Sequence, residues 1–124
     1  MRLASFNVQN MRLREVAGQP HLQGAQDRGA AEAAADPALD EIDRRLTAAV
    51  IAAIDADVVA LQEVFDRATL DFFHDRVLVR TGCAPYPHRV CLPGNDGQGL
   101  NVALLSRRAP ERVTSHAGAT AAAL

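Results

Sequence analysis

The sequence predicts an α/β domain with a mixed sheet, on three observations. Residues 2–8 alternate apolar and polar, with Leu3, Ser5 and Asn7 on one side and Ala4, Phe6 and Val8 on the other. Residues 58–64, Val-Val-Ala-Leu-Gln-Glu-Val, are a mostly apolar run of strand length, of the kind buried on both faces. Between them, residues 40–56 carry apolar side chains at a spacing of 3.6. A strand–helix–strand order of this kind makes the two strands parallel neighbours through a crossover.

The elements follow in chain order. The alternation at 2–8 gives the first strand. Residues 9–37 contain Gly18, Pro20, Gly24, Gly29 and Pro37, many Gln and Arg, and an alanine run, and read as a surface loop or an insertion. The helix at 40–56 is capped by Asp36 or Asp40. It is expected to turn Ile42, Leu46, Ala49, Val50, Ala53 and Ile54 inward and Arg44 and Arg45 outward. After the strand at 58–64, a second helix runs from Asp66 or Ala68 to about Thr81, with Leu70, Phe73, Val77 and Leu78 inward and Gly82 closing it. Residues 86–92 and 100–106 form a strand pair around the turn-rich segment 93–99, which makes the sheet mixed. Residues 113–116 suggest one more strand.

Composition narrows the function classes. The chain has 124 residues, enough for one domain. Its 24 alanines and only 4% aromatic residues make a thinner core than the 48% hydrophobic content implies. A net charge of −2 and a pI near 6.0 exclude a protein that holds nucleic acid by bulk positive charge. No run of 18 apolar residues spans a membrane, and the first residues do not form a signal peptide, so a cytoplasmic location is expected. Cys83 and Cys91 have neither CxxC spacing nor a His partner, and read as reduced thiols.

Two residues stand where strand ends meet chemistry. Glu63 lies at the carboxyl end of a strand expected to be central, the rim where ligands collect in open α/β sheets. A carboxylate there takes a metal or an Arg, or simply reaches solvent. Asn7 stands in the same relation to the first strand, as a ligand-facing amide or as a turn former. On adjacent parallel strands the two share a rim, and an amide oxygen beside one carboxylate is a partial shell for Mg²⁺. His21, His74 and His88 read as surface or packing residues, and Arg107-Arg108 as a solvated strand end. His88 and Arg89 adjoin the turn-rich segment, where substrate contact is a second reading.

Three segments carry a family resemblance: Ser5-Phe6-Asn7-Val8-Gln9-Asn10, Asp57-Val58-Val59-Ala60-Leu61-Gln62-Glu63-Val64, and Gly99-Leu100-Asn101-Val102-Ala103-Leu104-Leu105-Ser106-Arg107. In order and spacing they resemble the opening motifs of the endonuclease/exonuclease/phosphatase superfamily. The resemblance implies the N-terminal half of a four-layer α/β sandwich with mixed sheets, so that residues 1–124 make a partial domain. It implies hydrolysis of phosphate esters, nucleic acid or small molecule, with Mg²⁺ (or Mn²⁺). Glu63 would be a direct metal ligand, and Asn7 would help bind the metal and position a phosphate. The family's later Gly-Asp-x-Asn and Asp-His motifs have no counterpart in this sequence, and Ser115-His116 does not match the second. No catalytic base is therefore identifiable, and the expectation is an N-terminal fragment inactive alone. The alternative is a non-catalytic half-fold acting as a binding or assembly module, self-associating through an uncovered sheet.

Overall fold

The computed structural model describes residues 1–25 and 37–119. Its elements are β1 (Leu3–Met11), β2 (Leu13–Val16), β3 (Gln19–Leu22), α1 (Pro37–Ile54), β4 (Val58–Val64), α2 (Arg67–Phe73), β5 (His88–Val90) and β6 (Asn101–Ser106). A π-helical turn, His74–Leu78, and a 3₁₀ turn, Val79–Thr81, extend α2. Four strands form a mixed sheet in the order β1-β4-β6-β5, and β2 and β3 form a separate hairpin. The fold is α/β, as expected. β1 and β4 are parallel neighbours, and β6 runs antiparallel to both β4 and β5.

The parity of the strands decides which face is covered. Ala4 and Phe6 pair in register with Val59 and Leu61, which pair in turn with Leu105 and Ala103. Val59, Leu61, Ala103 and Leu105 are buried beneath Ala48 and Ile51 of α1 and Leu70 and Phe73 of α2. On the opposite face Leu3 is 69% exposed and Val102 is 72% exposed. Val58, Ala60 and Leu104 on that face are only half-buried. Among the described residues the four-stranded sheet thus has helices on one side.

Several local expectations need correction. The stretch beginning at residue 9 is not a loop throughout: it holds the end of β1 and the β2–β3 hairpin, while residues 26–36 lie outside the described residues. The strand expected at 113–116 does not form. The helix α1 is rotated from its expected setting. Arg44 is buried, together with Asp40, Thr47, Ala48 and Ile51. Ile42, Leu46 and Val50 are exposed at 51%, 60% and 45%. In so alanine-rich a helix both stripes are apolar enough to pack, and Arg44 decides between them through the contacts described below.

The second helix starts at its expected cap. The Asp66 carboxylate accepts from the Thr69 backbone N–H at 2.8 Å and its hydroxyl at 2.7 Å. Gly82 ends the helical segment at φ 90°, a left-handed conformation that suits glycine. Leu70, Phe73 and Leu78 point inward, as their spacing predicts. Both cysteines are free thiols, and burial pushes that of Cys91 up.

Candidate functional site

The carboxyl rim of the sheet is built from two adjacent irregularities. Between Asn7 and Met11, β1 passes three residues while β4 passes one, Glu63, between Gln62 and Val64. Against β6, β4 has two residues, Gln62 and Glu63, where β6 has only Val102. Glu63 therefore sits in a bulge toward both neighbours, and its φ is +66°. Gln9 and Asn10, across from it, are also left-handed at φ 53° and 51°. Such conformations cost non-glycine residues about 1–3 kcal/mol each and cluster where backbone is shaped for binding. Residues of both strands thus depart from the ladder at the same level.

Asn7 and Glu63 stand at the carboxyl ends of the adjacent parallel strands β1 and β4. Asn7 pairs in register with Gln62, the residue before Glu63. The Asn7 Oδ1 accepts from the Gln9 backbone N–H at 2.8 Å, which fixes the amide plane and leaves its NH₂ group free to donate outward. Gln62 donates through Nε2 to Ser5 Oγ at 3.0 Å, tying the two strands together just below the rim. The Glu63 carboxylate is half-buried and makes no hydrogen bond or ion pair among the described residues.

The contrast with the opposite rim is informative. At the amino end of β4, Asp57 Oδ2 accepts from the Arg2 backbone N–H at 2.7 Å, a bond that holds the exposed carboxyl below its ordinary range. Asp55 pairs with Arg107 at 2.8 Å, and the Arg107 guanidinium lies 4.5 Å over the Tyr86 ring. Tyr86 in turn donates to the Ala56 carbonyl at 2.7 Å. That end is closed by internal partners. The carboxyl end leaves the side chains of Glu63 and Arg14 without a hydrogen bond or ion pair among the described residues, and Arg12 with only the Phe65 ring beneath it.

Arg44 supports the rim from below. Its Nε donates to the Gln23 carbonyl at 2.6 Å, one terminal nitrogen to the Val8 carbonyl at 2.6 Å and the other to the Gln9 carbonyl at 2.7 Å. The two β1 carbonyls belong to the irregular stretch that follows Asn7, where strand pairing no longer satisfies them. Burial lowers the Arg44 pKa to about 10 while Asp43 and Asp40 hold it up, so it remains a guanidinium at neutral pH. Asp43 Oδ2 is buried beside it without a hydrogen bond among the described residues. Sequence reading missed this residue by placing it on the outer face. The available signal was Asp40, one helical turn earlier, which puts an acid and a base on the same helix face.

His21, His74, Arg89 and Arg107 are engaged within the fold. His21 contacts Asp40 at 2.9 Å. His74 is buried, lies 2.8 Å from Asp75 through Nδ1 and accepts the Tyr86 backbone N–H through Nε2 at 2.9 Å. Arg89 donates to Asp71 at 2.8 Å and to the Tyr86 carbonyl at 2.9 Å, so it is occupied within the fold. Arg107, expected to be solvated, is instead the pairing partner of Asp55.

The rim offers one unpaired carboxylate, Glu63, while the Asn7 amide oxygen is held by the Gln9 N–H. A carboxylate is a hard donor, which fits Mg²⁺ or Mn²⁺, ions that keep several waters and take further oxygens from substrate phosphates. Among the described residues no group of three or more His, Cys, Asp or Glu is placed to hold a metal ion, so a protein-only cage of the zinc type is not formed there.

Comparison with known proteins bears on the same residues. The model of the Endonuclease/Exonuclease/phosphatase family matches residues 4–120, a span that includes β1, β4 and β6 and with them Asn7 and Glu63. Searches of curated proteins and of solved structures returned no match. No helix of the described residues is long and apolar enough to cross a membrane. With nearly the whole sequence matched and the rim residues in place, the chain belongs to the Endonuclease/Exonuclease/phosphatase family.

Proposed function

We propose that this chain carries part of the site of a metal-dependent phosphoester hydrolase, of nuclease or phosphatase type. Glu63 is the protein ligand of a Mg²⁺ or Mn²⁺ ion, and Asn7 stands beside it. The observation that carries this reading is an unpaired Glu63 carboxylate, raised on a bulge, next to an oriented Asn7 amide on the neighbouring parallel strand. The Asn7 NH₂ group donates to a phosphoryl oxygen, while Arg44 holds the backbone behind it. Polarisation of the phosphoryl oxygen and stabilisation of the leaving oxygen are what a bound ion supplies there. No residue of this chain is assigned as the base that activates water, and the chain by itself is expected to turn over no phosphoester.

Mn²⁺ binding tests the ligand assignment without requiring turnover. Paramagnetic broadening of backbone amide signals should concentrate at residues 7–10 and 62–65, and Glu63→Gln should abolish it. Equal broadening in the variant would sink the assignment.

A second reading is favoured by one observation: Leu3, Val58, Ala60, Val102 and Leu104 form an apolar sheet face without helical cover among the described residues. It makes the chain a binding or assembly module that pairs through this face. Sedimentation decides, since a Val102→Lys change should then dissociate the assembly, and a monomeric wild-type chain would count against it.

A further inference from the structure

Beside the rim lies a second polar pocket, of about 170 Å³, lined by Asn10, Arg12, Arg14, Gln23, Gln98 and Leu100. It holds two guanidinium groups and three amide side chains and no carboxylate, so its chemistry suits an anion. At about 30 Å³ per water in the liquid it has room for a handful of waters. That is below the 300–1,000 Å³ typical of pockets that take a whole small molecule, and it suits a single tetrahedral oxyanion.

The pocket is preorganised. The Arg12 guanidinium lies 3.9 Å over the Phe65 ring. The edge of that ring meets Gly99, where φ is +80° and an added Cβ would stand 2.9 Å from the ring, so the close approach requires glycine. Asn101 locks the same corner, donating to the Phe65 carbonyl at 2.7 Å and accepting from the Gly94 N–H at 2.6 Å. Neither arginine has a carboxylate partner among the described residues. The nearby Asp96 carboxylate is engaged by the backbone N–H groups of Gln98 and Leu100, each at 3.0 Å. Continuity with the rim is direct: Asn10 belongs to the irregular end of β1, and Phe65 N–H bonds to the Met11 carbonyl at 3.0 Å.

We propose that Arg12 and Arg14 form a subsite for a second phosphate group, next to the one handled at Asn7 and Glu63. The substrate class is then a phosphoester that carries another phosphate close to the reacting one. This rests on the phosphoester reading above for its meaning, but not for its test.

Binding is measured by calorimetry on the full chain without metal, comparing the dinucleotide TpT with its 5′-phosphorylated form pTpT, and with inositol 1,4-bisphosphate as a non-nucleotide bisphosphate. The wild-type chain should bind pTpT about 10-fold more tightly than TpT, the scale of one charge-assisted bidentate contact. The R12Q/R14Q variant should lose that preference and leave TpT binding unchanged. The exposed R14Q variant alone should lose part of it, which covers the case in which the double variant folds poorly. The R76Q/R80Q variant, with the same charge loss on another surface, should keep it. Tight binding of the inositol bisphosphate would place the shared chemistry in the phosphates alone, whereas its exclusion would add a nucleotide requirement. Equal affinity for TpT and pTpT, failure to bind either, or loss of preference in R76Q/R80Q would overturn the proposal. Mn²⁺ binding that fails while the pTpT preference holds would instead overturn the metal reading and leave the subsite standing.

Discussion

Arg44 is the residue on which the rim depends. Three backbone carbonyls and a guanidinium leave water together, and deleting the cation leaves the acceptors unpaired. Arg44→Met is therefore expected to destabilise the chain by roughly 3–5 kcal/mol in urea unfolding, the range for breaking a buried charged network. Arg44→Lys keeps the charge but not the fork of donors, and should recover only part of that loss. Glu63 makes the opposite case. Its φ of +66° is uncomfortable for a glutamate, and Asn tolerates it better. Glu63→Asn is expected to raise stability by about 0.5–1 kcal/mol while weakening Mn²⁺ binding, a trade between backbone comfort and a ligand position. Neither residue's environment is visible in sequence. The identity and strand position of Glu63 were legible, whereas its bulge depends on pairing with both β1 and β6, and the burial of Arg44 on carbonyl partners 21, 35 and 36 residues away.

At the level of elements, strands were easier to read than helix orientation. β4 runs from Val58 to Val64, the span its apolar run indicates, but burial alternates along it because helices cover only one of its faces among the described residues, not both as the run suggests. In α1 the apolar pattern misleads, since alanines spread apolar surface around the whole helix. The observed setting predicts that Leu46→Ser, on the exposed stripe, changes stability by no more than about 0.5 kcal/mol. Ile51→Ala, beneath the helix, should cost about 2–4 kcal/mol in the same urea assay. The reverse pattern would restore the setting read from sequence. The hairpin β2–β3 also escaped the sequence reading, since its strands are four residues each and polar, with Pro20 inside one of them.

For the molecule as a whole, acid should act through paired carboxylates. Burial raises the Asp71 pKa, but hydrogen bonds from Arg67 at 2.9 Å and Arg89 at 2.8 Å outweigh it and hold the carboxyl below its ordinary value. A folded-state pKa below the unfolded one, about 3.9, gives stability that is present above that value and lost as pH falls through the lowered one. Asp71→Asn should therefore lower stability at pH 7 and flatten its fall in that acid window, followed by circular dichroism. The sequence by itself determined the α/β class, the parallel pairing of β1 with β4, and the positions of Asn7 and Glu63 at the carboxyl ends of those strands. Those follow from local periodicity and from the handed, short-range rules of strand connection. Only the tertiary structure decided which face of α1 is buried, how the strands bulge, and that Arg12 and Arg14 have no carboxylate partner among the described residues while the opposite rim is closed. These depend on hydrogen bonds between segments far apart in the chain, where one guanidinium can outweigh an apolar stripe because unpaired buried carbonyls cost more than exposed aliphatic side chains.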